Sequence, residues 1–301
     1  MELERVGGFL FLGTRAVGAL AEEREAAEAA LQFRFPASYV EALAALGRGT
    51  FDEARWILSP ARVQTYGSLF DEGLVRGPPR DWLVFAASDD GTSWAWSPSA
   101  PRVRGEPAVH CIPRGCFGPD DALAAPRLVA NDVVGLLRAF RAEARKAGAV
   151  RPYFVAEAPL LLVGDVHADP PRSARSVATA HRDVDRALAG AVRLVRFATD
   201  AVRVSRWFVP DADAILSIQT NVRSRDANDR APSSTLRVRF LGDARVEGLD
   251  PVIRTLDALG WTFARARAAT VVWRRASRAG LSRVEAMLAR VGARLDPPPA
   301  S

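Results

Sequence analysis

The stretch Asp81-Trp82-Leu83-Val84-Phe85-Ala86-Ala87-Ser88-Asp89-Asp90-Gly91-Thr92-Ser93-Trp94-Ala95-Trp96-Ser97-Pro98 predicts a β-hairpin. Its arms, residues 83–87 and 92–96, are rich in aromatic and β-compatible side chains. The Ser-Asp-Asp-Gly between them combines side-chain acceptors with a glycine that is free to take a positive φ. Trp94 and Trp96 share one face because side chains alternate along a strand, so we expect them in a core. Asp89 and Asp90 are interpreted as turn residues in preference to a metal or catalytic pair.

Length and composition set the class of protein. At 301 residues the chain exceeds the usual size of one domain, so two domains are expected. Hydrophobic residues make up 49% and charged residues 25%, a balance that excludes a disordered or membrane-spanning chain. No apolar run approaches the ~20 residues of a membrane helix, and the acidic opening Met1-Glu2-Leu3-Glu4 is unlike a signal peptide. We therefore expect a cytoplasmic protein with no membrane partner.

The net charge of +6 is unevenly distributed. Residues 1–148 contain 17 Lys or Arg and 19 Asp or Glu, a net charge of −2, so the remaining residues carry +8. Lys146 is the single lysine among the 41 cations, a bias typical of the codon usage of a GC-rich genome. Composition alone therefore does not make the chain a nucleic-acid-binding protein.

The two cysteines, Cys111 and Cys116, follow His110 in a His-Cys-x4-Cys pattern. The pattern lacks a second ligand pair at the spacing of a zinc site, so free thiols are expected. We predict no metal and no cofactor.

Helical patterns flank the hairpin on both sides. Residues 17–31 form an Ala-rich helix with an acidic face, and Pro36 occupies the first turn of a second helix that Gly47 ends. After a predicted strand at 109–112, Asn131 is the expected cap of a third helix. The side chains expected on its buried face are Val133, Val134, Leu137 and Phe140.

In this order, these motifs resemble the SUKH superfamily over about residues 17–146. The resemblance rests on Leu31-Gln32-Phe33-Arg34-Phe35-Pro36-Ala37-Ser38-Tyr39-Val40-Glu41-Ala42-Leu43, the glycine pair Gly47 and Gly49, the Trp56-Ile57 strand and the hairpin of residues 82–98. The family includes the yeast Smi/Knr cell-wall-assembly regulator and many bacterial toxin-immunity proteins. It more often has Leu-Pro before the second helix and an acidic residue after the last hairpin tryptophan, where this chain has Phe35-Pro36 and Ser97.

The resemblance implies binding without catalysis. Immunity members of the family cover a cognate toxin, often a nuclease or another nucleic-acid-directed enzyme, and share no catalytic residues. An acidic surface would suit a basic toxin. The residues expected to bind such a partner are Glu22, Glu23, Glu25, Glu28, Asp71 and Glu72, although a solvated helix face and loop would have the same composition.

The second half begins at the Gly/Ala/Pro-containing connection of residues 147–152. The predicted division is a SUKH-like binding domain at 1–148, an α+β domain at 149–294 and a disordered tail at 295–301. Asp165 and His167 follow a buried strand, as in metallophosphoesterases, where both side chains bind a metal. That family also needs a downstream Asn-His, which is missing here, so a strand end leading into the Pro170-Pro171 turn is preferred.

One long amphipathic helix is predicted to start at the cap Ser173. Its apolar seam comprises Val177, His181, Val184, Leu188, Ala191, Val195 and Ala198. Arg175, Arg182, Arg186 and Arg193 are assigned to the opposite face, where a solvated cationic face is preferred over phosphate or nucleic-acid binding. His181 is interpreted as a hydrogen-bonded structural histidine.

The remaining pattern predicts an antiparallel sheet, with strands at 202–207, 214–222, 235–241 and 270–274 and helices at 251–259 and 281–291. Asp211 and Asp213 are turn residues. The fold class is therefore α+β throughout: a SUKH-like mixed sheet with flanking helices, then a second α+β domain. We expect a toxin-neutralising immunity protein. The alternatives are an enzyme or effector with its activity in residues 150–301 and the SUKH-like domain as a docking module, and nucleic-acid binding by the basic half.

Overall fold

The chain is α+β in a computed structural model that describes residues 8–13, 20–69, 80–113, 126–156, 161–169, 177–188, 190–221, 233–241, 246–263 and 270–274. These residues form five α-helices and several sheets, one of them mixed. The chain divides into unit 1, Met1–Ala144 with Pro152–Glu157, and unit 2, Arg145–Arg151 with Ala158–Ser301. None of the described helices is long and apolar enough to cross a membrane.

Unit 1 is built on a nine-stranded sheet. Its strands are β1 Leu10–Leu12, β2 Gly49–Phe51, β3 Arg55–Ile57, β4 Gln64–Thr65, β5 Leu83–Ser88, β6 Ser93–Trp96, β9 Val109–Ile112, β10 Arg127–Ala130 and β11 Tyr153–Ala156. They lie in the order β1-β11-β2-β3-β5-β6-β9-β10, with β4 paired to β5. All of these pairs are antiparallel except β1 with β11. A separate small hairpin pairs β7 Arg102–Val103 with β8 Glu106–Pro107.

The predicted hairpin is confirmed as β5 and β6. Trp96 is fully buried, its ring stacks on Phe85 at 3.8 Å, and Tyr39 meets it edge-on at 5.3 Å. In the turn, Asp90 Oδ1 accepts the Thr92 N–H at 2.8 Å and the Ser88 hydroxyl. The Ser88 hydrogen bond is the main reason that the pKa of Asp90 is lowered. Asp90 therefore stabilises the turn, as expected.

Three helices pack in unit 1: α1 Leu20–Leu31, α2 Ala37–Leu46 and α3 Val133–Lys146. The helix α2 begins one residue after Pro36, which is its N-cap and not part of its first turn as predicted. The predicted end is confirmed, since Gly47, with φ 72°, donates its N–H to Leu43 O. The predicted cap of α3 is wrong by one residue. Asp132, not Asn131, accepts the Gly135 N–H at 2.6 Å, because the cap must directly precede the first helical residue.

Strand β11 lies in the sheet of unit 1, although the sequence boundary at 148 assigned it to the second domain. Phe154 pairs with Phe11 of β1 and Phe51 of β2. The side chains of β11 are buried, and Phe154 and Ala156 belong to the same core as Trp94 and Trp96. β11 pairs with strands that lie about 100 or more residues earlier in the chain, so the local sequence does not show to which sheet it belongs.

Unit 2 contains an antiparallel sheet and two described helices. The strands are β12 Leu161–Asp169, β13 Val192–Ala198, β14 Val202–Val209, β15 Ala214–Asn221, β16 Ser233–Phe240, β17 Thr262–Phe263 and β18 Thr270–Arg274, and the helices are α4 Val177–Ala187 and α5 Asp250–Ala258. The strands lie in the order β13-β14-β15-β16-β12-β17, with β18 also paired to β12. The core of unit 2 is a cluster separate from that of unit 1 and contains Trp207 and Trp261.

The single long helix predicted from residue 173 to residue 198 is wrong. The helix α4 ends at Ala187, and β13 begins at Val192. The apolar seam holds only as far as Leu188; beyond it Val195 is half-buried and Ala198 is exposed. The chain turns at Gly190, and Leu194 enters the core from a strand. The predicted cap Ser173, the helix at 281–291 and the tail at 295–301 lie outside the described residues.

Candidate functional site

Unit 1 contains a groove of about 500 Å³ between α1, the start of α2 and the β7–β8 hairpin. We call it the charged groove because most of its polar lining is ionic. The ionic residues that line it are Arg24, Glu28, Arg34, Glu41, Arg102, Arg104 and Glu106.

One wall of the charged groove is held by Glu106. Its carboxylate accepts the Ser38 N–H at 3.1 Å and the Ser38 hydroxyl at 2.6 Å. Ser38 lies in the first turn of α2, where the unpaired N–H groups favour an anion. The Val133 N–H in turn donates to the Ser38 hydroxyl at 3.1 Å. Glu106 thus joins the hairpin to the N-termini of α2 and α3.

Arg102 fixes the other arm of the hairpin. Its Nη2 donates to Arg34 O at 3.1 Å, and its guanidinium lies 4.9 Å from the centre of the Phe33 ring. Phe33 itself stacks against the buried Trp96 at 5.7 Å. The β7–β8 hairpin is therefore tied to the aromatic core through a cation–π contact and a backbone acceptor.

The tip of this hairpin is exposed. Arg104 and Gly105 both have positive φ, 55° and 82°, the combination that a two-residue type I′ turn requires. An arginine in this conformation is strained. The neighbouring Val103 exposes 58% of its surface. The turn thus presents an arginine and a valine to solvent on a fixed support.

In the charged groove, more arginine side chains than glutamate side chains lack a hydrogen-bond or ion-pair partner among the described residues. Glu28 Oε1 accepts the Phe35 N–H at 2.8 Å, and Glu106 is engaged as described. Arg24 Nε is buried with no hydrogen-bond partner among the described residues, and the guanidinium groups of Arg34 and Arg104 make no contact there either. The groove is thus equipped for acidic side chains.

The acidic residues expected to bind a partner have different surroundings. Glu22 and Glu25 are exposed on α1, as expected for its acidic face. Glu23 forms an ion pair with Arg48, and Glu28 holds the backbone of Phe35. Asp71 and Glu72 lie outside the described residues.

Unit 2 contains a cavity of about 420 Å³ between α4, β13 and residues 148–151. That segment lies against β13: Val150 N–H donates to Leu194 O at 2.8 Å, and Arg196 N–H donates to Gly148 O at 2.9 Å. Gly148 has φ 91°, and a Cβ there would come within 2.6 Å of Arg196 O. Only glycine allows this close approach. The close approach of residues 148–151 to β13 places Val150 and Arg151 in the cavity wall.

The polar wall of this cavity centres on Asp185. The Asp185 side chain is only 5% exposed, and its Oδ1 accepts the Trp207 indole N–H at 3.1 Å. Arg193 Nε lies 3.0 Å from the same oxygen, an ion pair that lacks the geometry of a hydrogen bond, so this buried Nε has no hydrogen-bond partner among the described residues. The two Nη nitrogens of Arg193, and the guanidinium of Arg151, have no partner among the described residues.

The four arginines assigned to one helix face are not on one face. Arg182 and Arg186 are exposed on α4, where Arg182 donates to Thr179 Oγ1 at 3.2 Å and Arg186 lies 3.6 Å from Asp183. Arg193 is on β13, because the helix ends before it. Arg175 lies outside the described residues. The expected cationic helix face is therefore wrong for Arg193.

His181 is hydrogen-bonded, as expected. Its Nδ1 lies 2.9 Å from Ser205 Oγ and its Nε2 lies 2.9 Å from Thr220 Oγ1, which in turn lies 2.8 Å from Ser234 Oγ. The ring is 6% exposed, and burial lowers the pKa of His181 to about 4. The imidazole is neutral at pH 7 and links three strands of the sheet.

The structure places most of the remaining candidate residues in strands and turns. Asp165 and His167 lie within β12, which continues to Asp169 instead of ending before them. Cys111 is a buried free thiol, as expected, and burial raises its pKa; Cys116 lies outside the described residues. The turn predicted at Asp211 and Asp213 is confirmed by a 3₁₀ turn, Pro210–Ala212.

His110 of the His-Cys pattern packs its ring 4.7 Å from that of Trp82, and burial lowers the pKa of this histidine. No group of three His, Cys, Asp or Glu side chains that could hold a metal ion occurs in the described parts of the chain.

No family model and no curated protein matches this sequence. The charged groove and the unit 2 cavity are the two candidate sites of the chain as described. Sequence reasoning missed the ionic lining of both, except for Glu28 and Arg193. The sequence Val-Arg-Gly-Glu at residues 103–106 could have indicated the tight turn of the β7–β8 hairpin, because glycine is common in turns.

Proposed function

We propose that the chain is a non-catalytic protein-binding protein of the immunity type, and that unit 1 is a SUKH-like module. The partner is a cognate bacterial toxin, which the protein neutralises by covering it. The sequence support is the order of motifs: a proline-started helix, a glycine turn and a tryptophan-bearing hairpin. The elements that correspond to these motifs in unit 1 are α2, the Gly47–Gly49 turn and the β5–β6 hairpin.

The charged groove is the observation that carries the proposal. Its walls are fixed by hydrogen bonds to Glu28, Arg102 and Glu106, while the guanidinium groups of Arg34 and Arg104 are left exposed. A rigid wall that presents charge loses little side-chain and loop entropy when a partner binds. The acidic residues of α1 led us to expect a basic toxin surface, whereas the free arginines of the groove favour acidic side chains of the toxin. We propose that these acidic side chains enter the groove and that Val103 adds an apolar contact beside them.

The test is a growth assay with the product of the neighbouring gene, because immunity partners are commonly encoded side by side. Co-expression with this protein is expected to restore growth, and the two proteins are expected to elute together from a sizing column. No rescue together with no complex would remove the proposal.

Two variants locate the interface. Arg34→Glu and Arg104→Asp are each expected to weaken the complex at least tenfold, because an anion then faces the partner's acidic groups. Aspartate is chosen at position 104 because it tolerates a positive φ. The matched control is Arg138→Glu, a charge reversal at an exposed position of α3 outside the charged groove, which should bind like the parent.

A further inference from the structure

The cavity of unit 2 has the size of a small-molecule site. Its volume of about 420 Å³ falls in the range of roughly 300–1,000 Å³ that such pockets occupy. Much of the lining is apolar, and the ionic groups in it are Arg151, Asp185 and Arg193. The apolar residues that line it are Val150, Leu188, Ala191, Val192 and Trp207.

The net charge of the lining determines whether an anionic or a cationic ligand is favoured. Arg151 and Arg193 contribute two positive charges and Asp185 one negative charge, so the wall has a net charge of +1. Asp185 Oδ1 is already engaged by Trp207 and Arg193, which leaves the carboxylate a poor partner for a cationic ligand. Within the described residues, the guanidinium nitrogens of the two arginines, the buried Nε of Arg193 among them, make no hydrogen bond, and such donors suit an oxyanion.

We propose that this cavity binds a small organic monocarboxylate with an apolar body. The carboxylate accepts hydrogen bonds from Arg151 and Arg193, and a single negative charge neutralises the wall. The apolar body packs against Leu188, Ala191 and Val192. Asp185 acts as a positioning residue, since its ion pair with Arg193 Nε orients the guanidinium and leaves the two Nη donors for the ligand. This site does not depend on the proposed toxin binding, because every residue in it belongs to unit 2.

The test is isothermal titration of the full-length protein with four probes. Hexanoate and phenylacetate have both the carboxylate and the apolar part of the proposed ligand. Hexanamide has the apolar part without the charge, and inorganic phosphate has negative charge without the apolar part. The two carboxylates are expected to bind, and hexanamide and phosphate at least tenfold more weakly. Equal binding of phosphate would mean a general anion site, and no binding of either carboxylate at millimolar concentration would mean an empty cavity. Both results overturn the proposal.

Variants then assign the binding to this cavity. Arg151→Met removes an exposed guanidinium that makes no side-chain contact within the described residues, and should weaken hexanoate binding about tenfold. Ala191→Leu fills the apolar side and should weaken hexanoate binding similarly while the fold, checked by circular dichroism, is retained. The matched control is Arg254→Met, an exposed arginine on α5 of the same unit, which should leave the affinity unchanged. Unchanged affinity in both cavity variants places the ligand elsewhere and overturns the assignment.

Discussion

At the scale of the residue, His181 makes the stability of unit 2 depend on pH. Its pKa is about 4 in the folded protein, and burial, helped by the charge of Arg203, is the cause. An unfolded histidine titrates near 6.5, so between these values the unfolded chain binds more protons than the folded chain. Stability is therefore complete above pH 6.5 and falls as the pH decreases towards 4, by about 3 kcal/mol over the window.

The measurement is hydrogen exchange of unit 2 peptides between pH 4 and pH 7.5, corrected for the intrinsic rate, in the parent and in His181→Gln. Glutamine keeps a donor and an acceptor for Ser205 and Thr220 but cannot titrate. The variant is expected to lose most of the pH dependence, although it is less stable at pH 7. Parallel pH profiles in the two proteins would show that His181 is not the titrating group.

At the scale of the element, the start of α2 depends on Glu106. Replacement by alanine leaves the Ser38 N–H and hydroxyl without their acceptor, at a cost of about 1–3 kcal/mol in the free energy of unfolding of unit 1. Glu106→Gln retains one acceptor oxygen and should cost less. Urea unfolding followed by circular dichroism tests this order. The control is Glu41→Ala, an exposed glutamate of the same helix, and an equal loss from both alanine variants would contradict the capping role.

Elements whose signals are local could be predicted from the sequence. The β5–β6 hairpin has its turn chemistry between its arms, and α2 has its proline and glycine at its ends. The boundary between α4 and β13 could not be predicted from apolar spacing, because positions 188, 191 and 195 fit a heptad. Gly190 and the Val-Arg-Leu-Val that follows it were the competing sign, since glycine ends helices and β-branched residues favour strands.

The charged groove shows the same limit for a site. Its central bonds join Ser38 to Glu106, which are 68 residues apart, and no periodic pattern connects such positions. The sequence identified the acidic character of α1 but not which carboxylates are engaged. Glu22 and Glu25 are exposed, whereas Glu23 and Glu28 have partners within the fold. Glu23 bonds Arg48, 25 residues away, and Glu28 bonds the backbone of Phe35, seven residues away, and neither partner is marked by the helix pattern.

At the scale of the whole molecule, each unit has its own hydrophobic core. Leu136 is fully buried in the unit 1 cluster, and Leu256 is 1% exposed in the unit 2 cluster. Truncation of either leucine to alanine is expected to cost about 2–5 kcal/mol, because it removes buried methyl groups and leaves a cavity. Since the clusters share no residue, each loss should stay within its own unit.

Hydrogen exchange with peptide resolution separates the two losses in the full-length chain. Leu136→Ala should speed exchange in peptides from β5, β6 and α3 and leave those from β14 and β15 at the parent rate. Leu256→Ala should do the reverse, because amides of one core open together at the free energy of that core. A variant that accelerates exchange equally in both sets of peptides would show that the two cores open as one cooperative unit. Each variant serves as the control for the other, because both replace a buried leucine with alanine, one in each core.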